Sequence, residues 1–152
     1  MIREATHSDI PRLISGTAEF FDGILDGTGL VPDPVTIEFF IQDLIDLEDS
    51  VVFVAEEDGE VVGAILGKVH PWMFNHNTIC LTELGWFVPT YTREKYPKAG
   101  ISLLMALRKW GKAMNATQLV MTSTKREESP RVMQMYDKMG LVHIDSNFIG
   151  RL

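Results

Sequence analysis

The chain has 152 residues, 45% hydrophobic and 23% charged, the length and balance of one globular domain. Its formal net charge of -7 argues against a general nucleic-acid binder, which would be basic, and suits a cationic or amine-bearing partner. A single cysteine, Cys80, rules out an internal disulfide and points to a reducing compartment. With no apolar leader and no apolar run of membrane-spanning length, a cytoplasmic protein without a membrane partner is expected.

Residues 2–5 read as a short edge strand. Ser8-Asp9-Ile10-Pro11 then carries a helix start, with Ser8 as N-cap and Pro11 in the first turn. Ile10, Leu13, Ile14 and Thr17 continue at helical spacing toward Phe20 and Phe21, until Gly23, Gly27 and Gly29 interrupt. Asp33-Pro34 opens a second helix, striped by Ile37, Phe40, Ile41, Leu44, Ile45 and Leu47. Residues 51–56 form a strand, Asp58-Gly59 is a hairpin turn, and 61–68 is the returning strand. Residues 70–77 read as a loop and 77–88 as the next strand.

A basic loop over 90–98 leads into a helix over 100–115, with Ile101, Leu104, Leu107 and Gly111 on one face. Residues 119–123 form a strand. Ser129-Pro130 starts another helix, with Ser129 as its cap, Met133, Tyr136 and Met139 at helical spacing, and Gly140 as the C-cap. Residues 141–145 and 147–152 read as two closing strands. There is no internal repeat or linker, and this order implies a mixed sheet covered by helices.

The stretch from Thr82 to Gly111 carries the chemistry. An apolar strand runs into a loop with Arg93, Lys95 and Lys98, then Ala99-Gly100, then a long helix. A helix N-terminus has unpaired N–H groups and partial positive charge, and small residues there let an anion come close. The pattern describes a site for a phosphate-bearing ligand; its bland alternative is a solvated basic loop. Glu83 interrupts the strand on the side of Ile79 and Leu81 by alternation. A buried carboxylate there gains proton affinity, which suits a general base. The alternatives are a glutamate bonded to backbone, or one turned to solvent by a bulge.

Lys95-Tyr96-Pro97-Lys98-Ala99-Gly100 resembles the acyl-CoA-binding loop of the GCN5-related N-acetyltransferases, the GNAT superfamily, which reads roughly Q/R-x-x-G-x-G/A. Lys95 stands in the Gln/Arg place and Gly100 in the last place, while Lys98 replaces the usual first glycine. The element order is also similar to that of a GNAT domain. The resemblance implies an α/β (α+β) fold with a mixed, mostly antiparallel central sheet flanked by helices, in the order β-α-α-β-β-β-α-β-α-β-β, as one domain over 1–152. It implies acetyl-CoA as co-substrate and an amine acceptor, either a small molecule or a protein, with homodimers a common assembly. The cofactor arm would pair with the backbone of Trp86, Phe87 and Val88. Arg93, Lys95, Lys98, Ala99, Gly100 and Ile101 would meet the phosphates, and Ser129 matches a place where the family often has Asn. Lys112, Lys125 and Arg126 could also reach the phosphates, but nothing singles them out.

Residues 131–141 resemble the family's C-terminal motif, whose tyrosine points at the CoA sulfur. Tyr136 is that tyrosine, and its hydroxyl could protonate the leaving thiolate. Its alternative is a core tyrosine bonded to a carbonyl. The acceptor site would lie among the first two helices and residues 70–77, with Phe20, Phe21, Asp22 and Asp26 at its mouth and Phe39, Phe40, Trp72 and Phe74 nearby. Each of these aromatics is equally at home in a core. His7, His70, His76 and His143 are too scattered for a metal site, and Cys80 reads as a buried small hydrophobe. The first reading is an N-acetyltransferase. The second is a non-catalytic GNAT-like module that binds acyl-CoA or a protein. A third, an unrelated nucleotide-binding module, lacks the Gly-Lys-Ser/Thr ending of a P-loop. The Lys98-Ala99-Gly100 variant is similar to small acetyltransferase-like proteins encoded by bacteriophages.

Overall fold

A computed structural model of the chain describes residues 1–123 and 129–144. Five strands form one sheet in the order β1-β2-β3-β4-β5: β1 Ile2–Glu4, β2 Ser50–Glu57, β3 Glu60–Trp72, β4 Asn75–Phe87 and β5 Gln118–Val120. The first four pair antiparallel, and β5 joins β4 in parallel. The helices are α1 Ile10–Phe21, α2 Pro34–Asp46, α3 Thr90–Lys95, α4 Ala99–Ala113 and α5 Ser129–Lys138.

β2 is a near-continuous apolar run because it is buried on both faces. Val52 and Val54 meet Ile10, Leu13, Ile41 and Leu44 of α1 and α2. Val51, Phe53 and Ile65 meet Leu103, Leu104 and Leu107 of α4. Two glycines let α4 sit directly on the sheet. A Cβ on Gly111 would lie 2.5 Å from Leu81 Cδ2, and one on Gly67 would lie 2.5 Å from Leu107 Cδ1. The β2–β3 turn matches the sequence signal, with Asp58 at φ 55° and Gly59 at φ 81°. Asp33 caps α2 by accepting the Thr36 N–H at 2.8 Å.

Several boundaries differ from the sequence reading. Ser8 is not the cap of α1; it lies inside a short 3-10 turn, His7–Asp9, and Asp9 takes the cap position. The reason is Arg3, whose guanidinium grips the Asp9 carboxylate at 2.8 and 2.9 Å while the Thr6 N–H donates to it at 2.8 Å. Residues 70–77 are not a loop. β3 and β4 continue as a hairpin, with His70 opposite Cys80, Pro71 opposite Ile79 and Trp72 opposite Asn75, because strand pairing extends outward from the buried section. The basic segment over 90–98 folds its first part into α3. In α4 the buried face is Leu103, Leu104 and Leu107, whereas Ile101 is 45% exposed. Residues 141–144 carry no strand, and the rest of the expected closing pair lies outside the described residues.

Candidate active site

The site is organised by one irregularity in β4. The register with β3 shifts between Leu66 and Gly67: Leu66 faces Gly85 and Gly67 faces Glu83, so Leu84 is an extra residue. Such a bulge flips every following side chain to the other face. Leu81 therefore packs under α4 at Gly111, yet Phe87, six residues later, packs under α1 at Gly16. Trp86 and Val88 turn instead to the entrance of α4, where a Cβ on Gly100 would lie 3.5 Å from Trp86 and 3.6 Å from Val88.

The parallel ladder to β5 ends at Thr82 opposite Val120, while β4 runs on to Phe87. The two strands part there. Among the described residues, the β5-facing backbone of β4 beyond Thr82 has no strand neighbour. Glu83 is the first residue of this unpaired stretch and is only 3% exposed. Its Oε2 accepts the Thr122 N–H at 3.1 Å and the Thr122 Oγ1–H at 2.7 Å. Burial pushes its carboxyl pKa up, and the two Thr122 bonds draw it partly back. Tyr136, from α5, donates its hydroxyl to the Thr122 carbonyl at 2.7 Å. Burial, and then the facing Glu83 charge, raise its pKa above the ordinary phenol value. The sequence-chosen pair is thus brought together on a third residue, Thr122. Gly140 and Leu141 secure this end of α5: the Gly140 N–H reaches the Asp137 carbonyl and the Leu141 N–H the Tyr136 carbonyl, each at 3.0 Å.

At the entrance of α4 the Ala99 N–H is taken by the Tyr96 carbonyl at 3.0 Å. Gly100 and Ile101 follow in the first turn, where a helix leaves its N–H groups without intrahelical partners. Lys98 sits at the N-cap with φ -90° and ψ -11°, a conformation open to any residue, so its backbone dihedrals do not require glycine. Its side chain is exposed, as is that of Arg93 on α3. Lys95 is turned elsewhere. Its ammonium lies 3.5 Å from Asp58 and 4.8 Å from the Tyr96 ring centre, and the Tyr96 hydroxyl donates to Asp58 at 2.8 Å. Ser129 begins α5; its side chain, with Lys125 and Arg126, lies outside the described residues.

The sequence profile of the acetyltransferase (GNAT) family matches residues 22–141. This chain belongs to the GNAT family. It is 30% identical over 118 residues to an N-alpha-acetyltransferase of Sulfurisphaera tokodaii, which spans 75% of this chain and 69% of the relative. Its fold matches a predicted acetyltransferase of Clostridium acetobutylicum solved with acetyl-CoA, with TM-score 0.75 and 16% identity over 97% of this chain and 93% of that one. The same fold occurs in AAC(6')-Iy in complex with a bisubstrate analogue, with TM-score 0.75 and 14% identity over 100% and 97% of the two chains.

GNAT acetyltransferases carry acetyl groups from acetyl-CoA, their co-substrate, to amines. The structure fits that ligand in three respects: the unpaired edge of β4 can accept an extended arm, the α4 entrance offers donors to an anion, and Trp86 Nε1 is buried there without a partner. The expected acceptor aromatics divide. Phe20 and Phe21 stack edge to face at 5.1 Å on α1, and Trp72 and Phe74 do so at 5.3 Å where β3 turns into β4. Phe39, Phe40, Trp72 and Phe74 are exposed, as are Asp22 and Asp26. Thr122 and Asp58 were missed by sequence reasoning. Neither contact has a local signal: Thr122 meets Glu83 at the end of β5, and Asp58, read only as a turn residue, meets Tyr96 across the fold. No helix among the described residues is long and apolar enough to cross a membrane.

Proposed function

We propose that this chain acetylates a primary amine by direct attack on acetyl-CoA, with Glu83 as general base and Tyr136 as the group that meets the leaving sulfur. The observation that carries the reading is the buried Glu83 carboxylate where β4 and β5 part, beside an open strand edge and a donor-rich helix entrance. When bound, acetyl-CoA supplies an activated thioester. The backbone of Trp86, Phe87 and Val88 would align its arm, and Gly100, Ile101, Arg93 and Lys98 would hold its phosphates, with the small, buried side chain of Ala99 keeping the helix entrance open. Lys95 would serve the same end indirectly, by tying the loop to Asp58.

Both Thr122 bonds fall on Oε2 of Glu83, leaving Oε1 to take the amine proton directly or through water. A raised carboxyl pKa makes that transfer less uphill. Tyr136 has to release the Thr122 carbonyl before its proton can face sulfur. Its raised pKa makes full transfer to a thiolate, ordinarily about 8.5, unfavourable. Its stronger contribution is a hydrogen bond to the charge developing on sulfur, with water supplying the final proton.

We take the acceptor to be the α-amine of a polypeptide N-terminus. The named activity of the Sulfurisphaera relative supports this. So does chemistry: an α-amine has a pKa of about 8, against about 10.4 for lysine, and needs less help from a carboxylate base. The same reading takes the chain as a single acyl-CoA-binding domain in a reducing cytoplasm, supported by the two-sided core on one sheet and the free, buried Cys80. It takes the Lys98 variant of the loop, which resembles phage-encoded relatives, as a working phosphate contact. The test is mass spectrometry on a panel of peptides with free or blocked N-termini and internal lysines, each incubated with acetyl-CoA. Acetylation confined to free N-termini is expected. Acetylation of the lysines alone would overturn the choice of acceptor, and no acetylation of any amine would overturn the enzyme reading.

A further inference from the structure

Glu83 and Tyr136 come from different elements and do not bond to each other. Both bond to Thr122, which follows the last residue of β5 by two positions. A residue at a strand end commonly spends its groups on water. Here all three polar groups of Thr122 are spent inward: its N–H and Oγ1–H on one carboxylate oxygen, and its carbonyl on the phenol. We infer that Thr122 is a positioning residue for the reaction, setting the place and proton affinity of Glu83 and holding Tyr136 ready, so that acid side and base side share one anchor. This rests on Glu83 being the base.

Two hydrogen bonds to a single oxygen fix the carboxylate plane, so the other oxygen points in a set direction. Both bonds favour the ionised form, because a carboxylate accepts more strongly than a carboxylic acid. Among the described residues the surroundings offer little else to do this. β3 places Gly67 opposite Glu83, the end of β5 brings Thr122, and α5 brings Tyr136. Among the described residues, Tyr136 is the titratable group facing Glu83 from these elements, and it is neutral at physiological pH.

The test follows the Glu83 side-chain carboxyl by 13C NMR during a pH titration, assigned by its loss in Glu83→Gln. Thr122→Val keeps the shape and the backbone N–H but removes the hydroxyl donor. It should raise the Glu83 midpoint by about one pH unit, the size expected for one hydrogen bond to a charged group. It should also lower kcat about tenfold with the KM for acetyl-CoA unchanged, and Thr122→Ser should restore both values. An unshifted midpoint in Thr122→Val overturns the inference, as does an equal loss in Thr122→Ser. If Glu83→Gln keeps the wild-type kcat, the base assignment falls and Thr122's part in the reaction falls with it. If Glu83→Gln is inactive while Thr122→Val matches wild type in midpoint and kcat, the base stands and this inference alone fails.

Discussion

Gly111→Ala probes the contact that seats α4 on β4. The added methyl would lie 2.5 Å from Leu81 Cδ2, 3.2 Å from its Cγ and 3.3 Å from its Cβ. Good carbon contacts lie at about 3.5–4.0 Å, so the overlap approaches 1 Å at the nearest atom. Turning one Leu81 methyl away does not relieve it, since Cγ and Cβ are also too close. The backbone of Leu81 is held on both sides, paired with Val69 and with Leu119. Overpacking of this kind costs about 1–3 kcal/mol, and the helix-propensity gain of Ala over Gly returns about 1 kcal/mol. The net loss of up to about 2 kcal/mol lowers Tm by up to roughly 8 °C for a chain of this size. Differential scanning calorimetry on Gly111→Ala, Leu81→Val and the double variant reads this directly. The double variant should lose less than the sum of the singles. An additive cycle would refute close seating of α4 at this point.

Glu83→Gln should gain stability at neutral pH while losing activity. The folded carboxyl has its pKa raised above 4.5 by burial, so its contribution is full below that value and is lost as pH rises through the folded value. Thermal melts at pH 8 and pH 4 should therefore show the variant ahead at the higher pH and level at the lower. Asp9→Asn should destabilise at pH 7 by about 1–2 kcal/mol, since it removes a charged acceptor of Arg3. The Arg3 bonds hold the Asp9 pKa down at about 2, so its stabilisation is present above 3.8 and fades as pH falls through about 2, where urea melts of wild type and variant should converge. Lys98→Gly should weaken acetyl-CoA binding several-fold in calorimetry and flatten its salt dependence, because the lysine adds charge at a position whose backbone dihedrals do not require glycine.

Much of this was legible in the sequence, for identifiable reasons. The α2 start at Asp33-Pro34, the Asp58-Gly59 turn and the Gly140 cap were readable because each uses a local rule that its own residues satisfy. Glu83 was readable because a carboxylate within an apolar strand is costly and therefore conspicuous. The start of α1 was misread because Arg3, from another element, commits the Asp9 carboxylate. The 70–77 segment looked like a loop because His, Pro and Asn are turn formers, but the neighbouring strand supplies pairing that no local rule anticipates. Ile101 was assigned to the wrong face because an extra apolar residue, Leu103, satisfies the same helical period. Thr122 was invisible, since its role depends on where β5 leaves β4. The bulge at Leu84 likewise exists only in the pairing of two strands.

The most direct test of the account is turnover by Glu83→Gln against wild type at saturating acetyl-CoA, followed by release of free CoA with an N-terminal peptide amine. Gln can still accept both Thr122 bonds, so the site stays assembled and only the base is lost. The account predicts a drop in kcat of about 10²–10⁴-fold, the usual worth of a general base, with acetyl-CoA binding unchanged. A variant that turns over at the wild-type rate would contradict it and remove Glu83 from the chemistry.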